Sequence, residues 1–260
     1  DDYSSVAVEF GDIVFSENGD GTVDVQMPAS YPIVVDAEGS IVNISVTQSG
    51  MTMTASGDPD AVSYVVTADQ YAIIVDDITD GGDVIEGDIR MTANGLSGNY
   101  TVSTGDMKDI SYALSTQSID MLVDVKEPGG DGVVLMSGKM DGLTASAHLA
   151  IPKDADFDSP ETLFVDGFSI EGGYGLEGAN YIFDINADGD QAAGSISMGL
   201  AEVGILFNAQ QVGYDVVTND VAVNVTSGEL PFPVNVSLGQ YGIGVSGPLA
   251  ASDGPSPFAM

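Results

Sequence analysis

Alternation with a period of two residues constrains this chain more than any other feature. Within residues 179–200, Tyr181, Phe183 and Ile185 alternate with Ile182, Asp184 and Asn186, and Ile196, Met198 and Leu200 alternate with Ser195, Ser197 and Gly199. Successive side chains of a strand point to opposite faces, so each half reads as a strand with one apolar face. The acidic turn between the halves makes the pair a β-hairpin.

The same design recurs from end to end. Val23, Val25 and Met27 share a face, as do Val42, Ile44 and Val46, then Val62, Tyr64 and Val66. Further on come Ile119, Met121, Val123 and Val125, then Leu143 to Ile151 in steps of two, then Val221, Val223 and Val225. Gly, Asn and Asp clusters at 17–21, 57–60, 79–83 and 127–132 supply the turns. Helical spacing leaves room for no more than a short turn at 201–211 and another at 159–164. The expected fold is all-β: a predominantly antiparallel, many-stranded meander forming a sandwich, an open barrel or a curved, groove-like sheet. Residues 152–160, rich in Pro and Asp, divide an N-terminal β region (1–151) from a C-terminal one (161–260), or form a long loop within one continuous domain. Asn94-Gly95-Leu96 echoes Tyr174-Gly175-Leu176, and Asp141-Gly142-Leu143 repeats the Gly-Leu step, without a fixed period.

Charge narrows the partners. Forty Asp and Glu stand against five Lys and Arg, a formal net charge of −35. Such a surface repels phosphate backbones, which argues against nucleic acid, and it favours cations or a salty medium. With no Cys, thiolate metal sites, disulfides and cysteine nucleophiles are excluded. No apolar run is long enough to cross a bilayer as a helix. The start at Asp1-Asp2-Tyr3, without Met, suggests a processed or truncated N-terminus, which leaves open a removed export signal or anchor.

One cluster has metal-ligand spacing. Asp184, Asn186, Asp188 and Asp190 carry oxygens at alternate positions, with Gly189 at the sharp turn, as a Ca²⁺ loop requires. Ser195 stands where the twelfth-position acid of an EF-hand belongs, and the flanks are strands, so the competing reading is a polar hairpin turn. Asp154, Asp156 and Asp158 read as a solvated turn. His148, the single histidine, has no Gly-x-Ser-x-Gly elbow to serve, so no catalytic residue is assigned. Asn43, Asn99, Asn224 and Asn235 match the glycosylation pattern inside expected strands, where chance explains them.

Met140-Asp141-Gly142-Leu143, Leu230-Pro231-Phe232-Pro233-Val234 and Pro248-Leu249-Ala250-Ala251, running on to Pro257-Phe258-Ala259-Met260, resemble an uncharacterised Gram-negative envelope family, domain-of-unknown-function family 2125. The resemblance implies an exported protein and a chain longer than this one, and it carries over no site residue.

The expectations are therefore three. The first is a non-enzymatic exported scaffold or binding module, periplasmic or at the cell surface, offering an apolar groove to a lipid or a protein partner in the envelope. The second is a calcium-stabilised surface, adhesive or filament-forming protein. The third is an acidic hydrolase, which would show two facing carboxylates or a buried His148–acid pair.

Overall fold

The computed structural model describes residues 4–37, 39–127, 130–155, 167–187 and 190–248. Strands account for 79% of it, and the described residues contain no helix. Nineteen strands fall into eleven long runs, because most runs are two strands in line. The first run is β1 (Ser4–Val8) with β2 (Val14–Glu17), and the second is β3 (Val23–Gln26) with β4 (Ser30–Ala37). The third is β5 (Ser40–Ser49) with β6 (Thr52–Asp58), and β7 (Ala61–Asp80) is a run by itself. β8 (Asp83–Ile85) and β9 (Gly87–Thr104) follow, then β10 (Met107–Ser115) with β11 (Ser118–Lys126). β12 (Val133–Asp141) continues into β13 (Thr144–Pro152), β14 (Ser169–Leu176) into β15 (Gly178–Ala187), and β16 (Asp190–Met198) into β17 (Ala201–Phe207). β18 (Gln211–Ser227) and β19 (Val234–Pro248) are the last two runs.

Each run pairs antiparallel with the next, so the chain is one up-and-down meander in a single sheet. Because β9 and β18 pass through both tiers, the pairings β9–β10–β13–β14–β17–β18–β16–β15–β12–β11–β9 close a ring within the sheet. That ring is not a barrel: among the described residues no ladder joins the first run to the last. β13 pairs with β14 across the segment 153–168, so the sheet runs unbroken past the Pro- and Asp-rich stretch. Residues 201–207 form β17 rather than a helical turn, since Ala201, Val203, Ile205 and Phe207 alternate onto one face. The stretch 159–164 lies outside the described residues.

A seam crosses the sheet at mid-height. From the third run to the eleventh each run spends one extra residue at the same level, and the register on either side stays in step. Gly50, Asp69, Gly95, Gln117, Gly142 and Glu177 stand level in the seam, and Gly199, Asp220 and Gly239 continue it one residue aside, with Gly199 opposite Gly178. Gly50, Gly95 and Gly142 adopt φ of 62°, 61° and 61°, the left-handed region that a side chain resists. There is no room for a side chain either. A Cβ on Gly95 would stand 2.5 Å from Gln117 Cδ, and one on Gly142 would stand 2.5 Å from Glu177 Cγ. The polar side chain of one run thus lies over the glycine opposite. Asp220, at φ 52°, is the one non-glycine in this conformation among the described residues, and Asp tolerates it better than most residues.

The extra residue in each run offsets the two-residue alternation without a change of register between runs, so apolar positions change parity across the seam and stay on one side of the sheet. One face is consequently apolar over both tiers. Strands touch the neighbours they are bonded to, and among the described residues no second sheet covers either face. Among the described residues the buried apolar side chains include only Val25, Val46, Ala68, Ala72, Ala150 and Pro152, and no large side chain is fully buried. The chain exposes 16129 Å². A compact monomer of its mass would expose roughly 10,700 Å². A two-sheet sandwich would have buried these faces, so the arrangement is a single layer.

Candidate functional site: the apolar face

Directly opposed residues share a face, so the ladders identify the apolar side. In one tier it carries Val66, Leu96, Tyr112, Leu114, Ala145, Tyr174, Val203, Tyr214 and Val245 across successive runs. In the other it carries Val8, Ile33, Ile44, Val75, Ile89, Val123, Met136, Phe183, Val225 and Val234. Ten inter-strand steps at about 4.8 Å, and runs of up to 20 residues at about 3.3 Å each, give a face on the order of 3,000 Å². Exposed apolar patches on soluble monomers rarely exceed a few hundred Å². Tyr174 is 56% exposed and Val245 60%, so this face is open rather than a core.

Every tyrosine among the described residues lies on it: Tyr31, Tyr64, Tyr71, Tyr100, Tyr112, Tyr174, Tyr181, Tyr214 and Tyr241. Their rings pack laterally, Tyr64 against Tyr100 with centroids 6.1 Å apart and Phe10 against Tyr31 at 5.7 Å. Two rings settle over glycines of the adjoining run. A Cβ on Gly138 would come 2.1 Å from Tyr181 Cδ1, and one on Gly194 would come 2.7 Å from Phe183 Cζ. The glycines are gaps that the aromatic rings fill, which keeps a single layer tightly joined sideways.

Tyr31 and Tyr71 share a hydroxyl–hydroxyl hydrogen bond of 2.6 Å. Desolvation first, and then that bond, push the Tyr71 phenol up to about 12. A phenol whose folded value lies above its ordinary value of 10.0 binds its proton more tightly when folded. Its contribution to stability is complete below pH 10 and is lost as the pH rises through 12. In an absorbance titration at alkaline pH one tyrosine should ionise late, and Tyr71→Phe should remove that component and flatten the fall in stability between those limits. An unchanged titration curve in the variant would contradict the assignment.

The other face is polar. Thr52 bonds Thr67 at 2.8 Å, Ser97 bonds Ser115 at 2.8 Å, and Asn94 donates to Asp120 at 2.7 Å. Acids are not confined to turns: Asp120, Asp124 and Asp215 project from this face within strands. Two recesses open here. One, of about 720 Å³, is lined by Ser111, His148, Glu171, Gln211 and Asp215 over Gly204, Gly213 and Gly244. The other, of about 530 Å³, is lined mainly by Thr67, Ser97, Asn99, Ser115 and Thr144. Both are depressions left where glycines and small side chains adjoin longer ones. His148 Nε2 lies 3.4 Å from Asp109 Oδ1, with both side chains close to half exposed. The pair is therefore open to water rather than buried.

The acidic hairpin is divided between the faces. Asp184 and Asn186 lie on the polar face opposite Ala193 and Gln191, whereas Asp190 pairs with Ala187 and falls on the other. Asp188 lies outside the described residues, as do Asp156 and Asp158. Among the described residues no three His, Cys, Asp or Glu side chains converge as metal ligands. The seam and the row of tyrosines went unread in the sequence, although the Gly-Leu steps at Gly95, Gly142 and Gly199 were visible signals of the former.

Comparison of the chain with protein-family models, with curated proteins and with solved structures found no match.

Proposed function

We propose that this chain is a non-enzymatic binding module of the bacterial envelope whose apolar sheet face takes the acyl chains of a lipid. The observation that carries the reading is a continuous apolar face crossing all eleven runs, with exposed large side chains on it in nine of them. Burial of apolar surface is worth roughly 25 cal/mol per Å², so 300 Å² of acyl chain would contribute about 7 kcal/mol before ordering costs. The acids on the opposite face and at the turns keep that side in water. The compartment follows from the family resemblance.

Titration with a fluorescent polyene fatty acid tests the reading. The expected result is saturable binding, displaced by unlabelled fatty acid and insensitive to EDTA. Emission that stays at the level of the probe in buffer would refute it.

A further inference from the structure

The last run is an open edge. β19 bonds β18 on one side, and no described residue bonds its other side, so backbone N–H and C=O groups face outward along it. Residues 230–252 are the longest stretch of the sequence without a charged side chain, in a chain of net charge −35. The opposite edge is different. It is split between β1 and β2, Glu9 and Asp12 lie in the gap, and Glu17 closes it. Interruption and charge are how edges resist pairing, and β19 has neither.

We propose that β19 pairs antiparallel with β19 of a second copy, Gly239 opposite Gln240 and Gln240 opposite Gly239, about a two-fold axis normal to the sheet. Two separate features select this register. The first is the side-chain pattern. Apolar positions are even-numbered before the seam (Val234, Val236, Leu238) and odd-numbered after it (Tyr241, Ile243, Val245). An antiparallel self-pair sets the first half of one copy against the second half of the other. Apolar then meets apolar only where even pairs with odd, as in Leu238 with Tyr241, Val236 with Ile243 and Val234 with Val245.

The second feature is the seam. Gly50, Gly95, Gly142 and Gly199 each stand level with a polar residue of the following run, Asp69, Gln117, Glu177 and Asp220 respectively. Gly239 is the seam glycine with no run after it. The proposed register sets Gln240 of the second copy across from it, and the same alternation continues through the axis. A two-fold normal to the sheet leaves the apolar face of both copies on one side, so the pair doubles that face. Since the other edge is blocked, assembly stops at the dimer and does not propagate into a filament.

Like charge opposes this association, so salt should favour it. Native mass spectrometry and light scattering of the full chain are expected to show a dimer whose fraction rises with ionic strength. Ser237 and Gly242 oppose each other across the axis on the polar face, and a Cβ at Gly242 would meet nothing closer than 3.7 Å. Ser237→Lys with Gly242→Lys should abolish the dimer and leave the β-sheet circular dichroism unchanged. Ser237→Cys with Gly242→Cys should trap the dimer on mild oxidation, since the two positions of one chain are roughly 17 Å apart along an extended strand and cannot join each other. A monomer at every salt concentration, or a dimer indifferent to the lysine pair, would overturn the proposal. So would a double-cysteine variant that stays monomeric after oxidation.

Discussion

Leu114→Asp combined with Ile205→Asp should weaken acyl-chain binding by tenfold or more without unfolding the sheet. Leu114 is 38% exposed and Ile205 43%, so each carboxylate can reach water in the unliganded protein. An acyl chain laid over them would instead strand both charges against methylenes. Losing the burial of two such side chains costs up to about 1.5–3 kcal/mol each, and 1.4 kcal/mol is already tenfold. The matched control is Asn99→Asp with Ser146→Asp on the opposite face, where added charge should leave affinity unchanged. Equal losses in the two double variants, read by fatty-acid titration, would mean that the polar face holds the ligand.

Gly138→Val should be among the most destabilising single substitutions, with a loss of about 3 kcal/mol. Gly138 pairs with Tyr181 across the β12–β15 ladder. A Cβ there would stand 2.1 Å from the ring and 2.5 Å from the backbone oxygen of Asn180. The ring could rotate away, but the carbonyl belongs to the ladder and cannot. Overpacking a fitted site costs about 1–3 kcal/mol, and lost ladder geometry adds to it. Gly239→Ala, with open space around its Cβ, should cost far less in the monomer. Urea denaturation of both variants checks the order, and a Gly138→Val midpoint equal to the parent's would contradict the packing described for Tyr181.

Much of the fold was legible because a strand declares itself locally. The alternation at Tyr181, Phe183 and Ile185 fixes a strand and its apolar face, and the turn that follows fixes the hairpin. What covers that face is not a local property. A sandwich, a barrel and an uncovered sheet all require the same alternation, which is why the sequence left them open and the structure resolves them as one layer. The short helical turn allowed at 201–211 gives way because Val203 and Ile205, two residues apart, share one face of β17 with Ala201 and Phe207, a placement that period two explains and helical spacing does not. Of the two echoes of Asn94-Gly95-Leu96, Asp141-Gly142-Leu143 lies at the same level of the sheet and Tyr174-Gly175-Leu176 does not. Turn and strand lengths vary between runs, so residues level in space are unevenly spaced in sequence. Of the calcium spacing, the ladder places Asp184 and Asn186 on one face and Asp190, opposite Ala187, on the other, while Asp188 lies outside the described residues.

The most direct test of an open, ligand-taking apolar face is intrinsic fluorescence with brominated lipid. The chain has no Trp, and every tyrosine among the described residues lies on that face, so its emission reports on the face. Bromine quenches only at near contact. Fatty acid brominated along its chain should quench tyrosine emission saturably, the unbrominated acid should not, and Leu114→Asp with Ile205→Asp should shift the curve to higher concentration. Emission equally insensitive to both acids, at concentrations where the protein remains folded, would contradict the account.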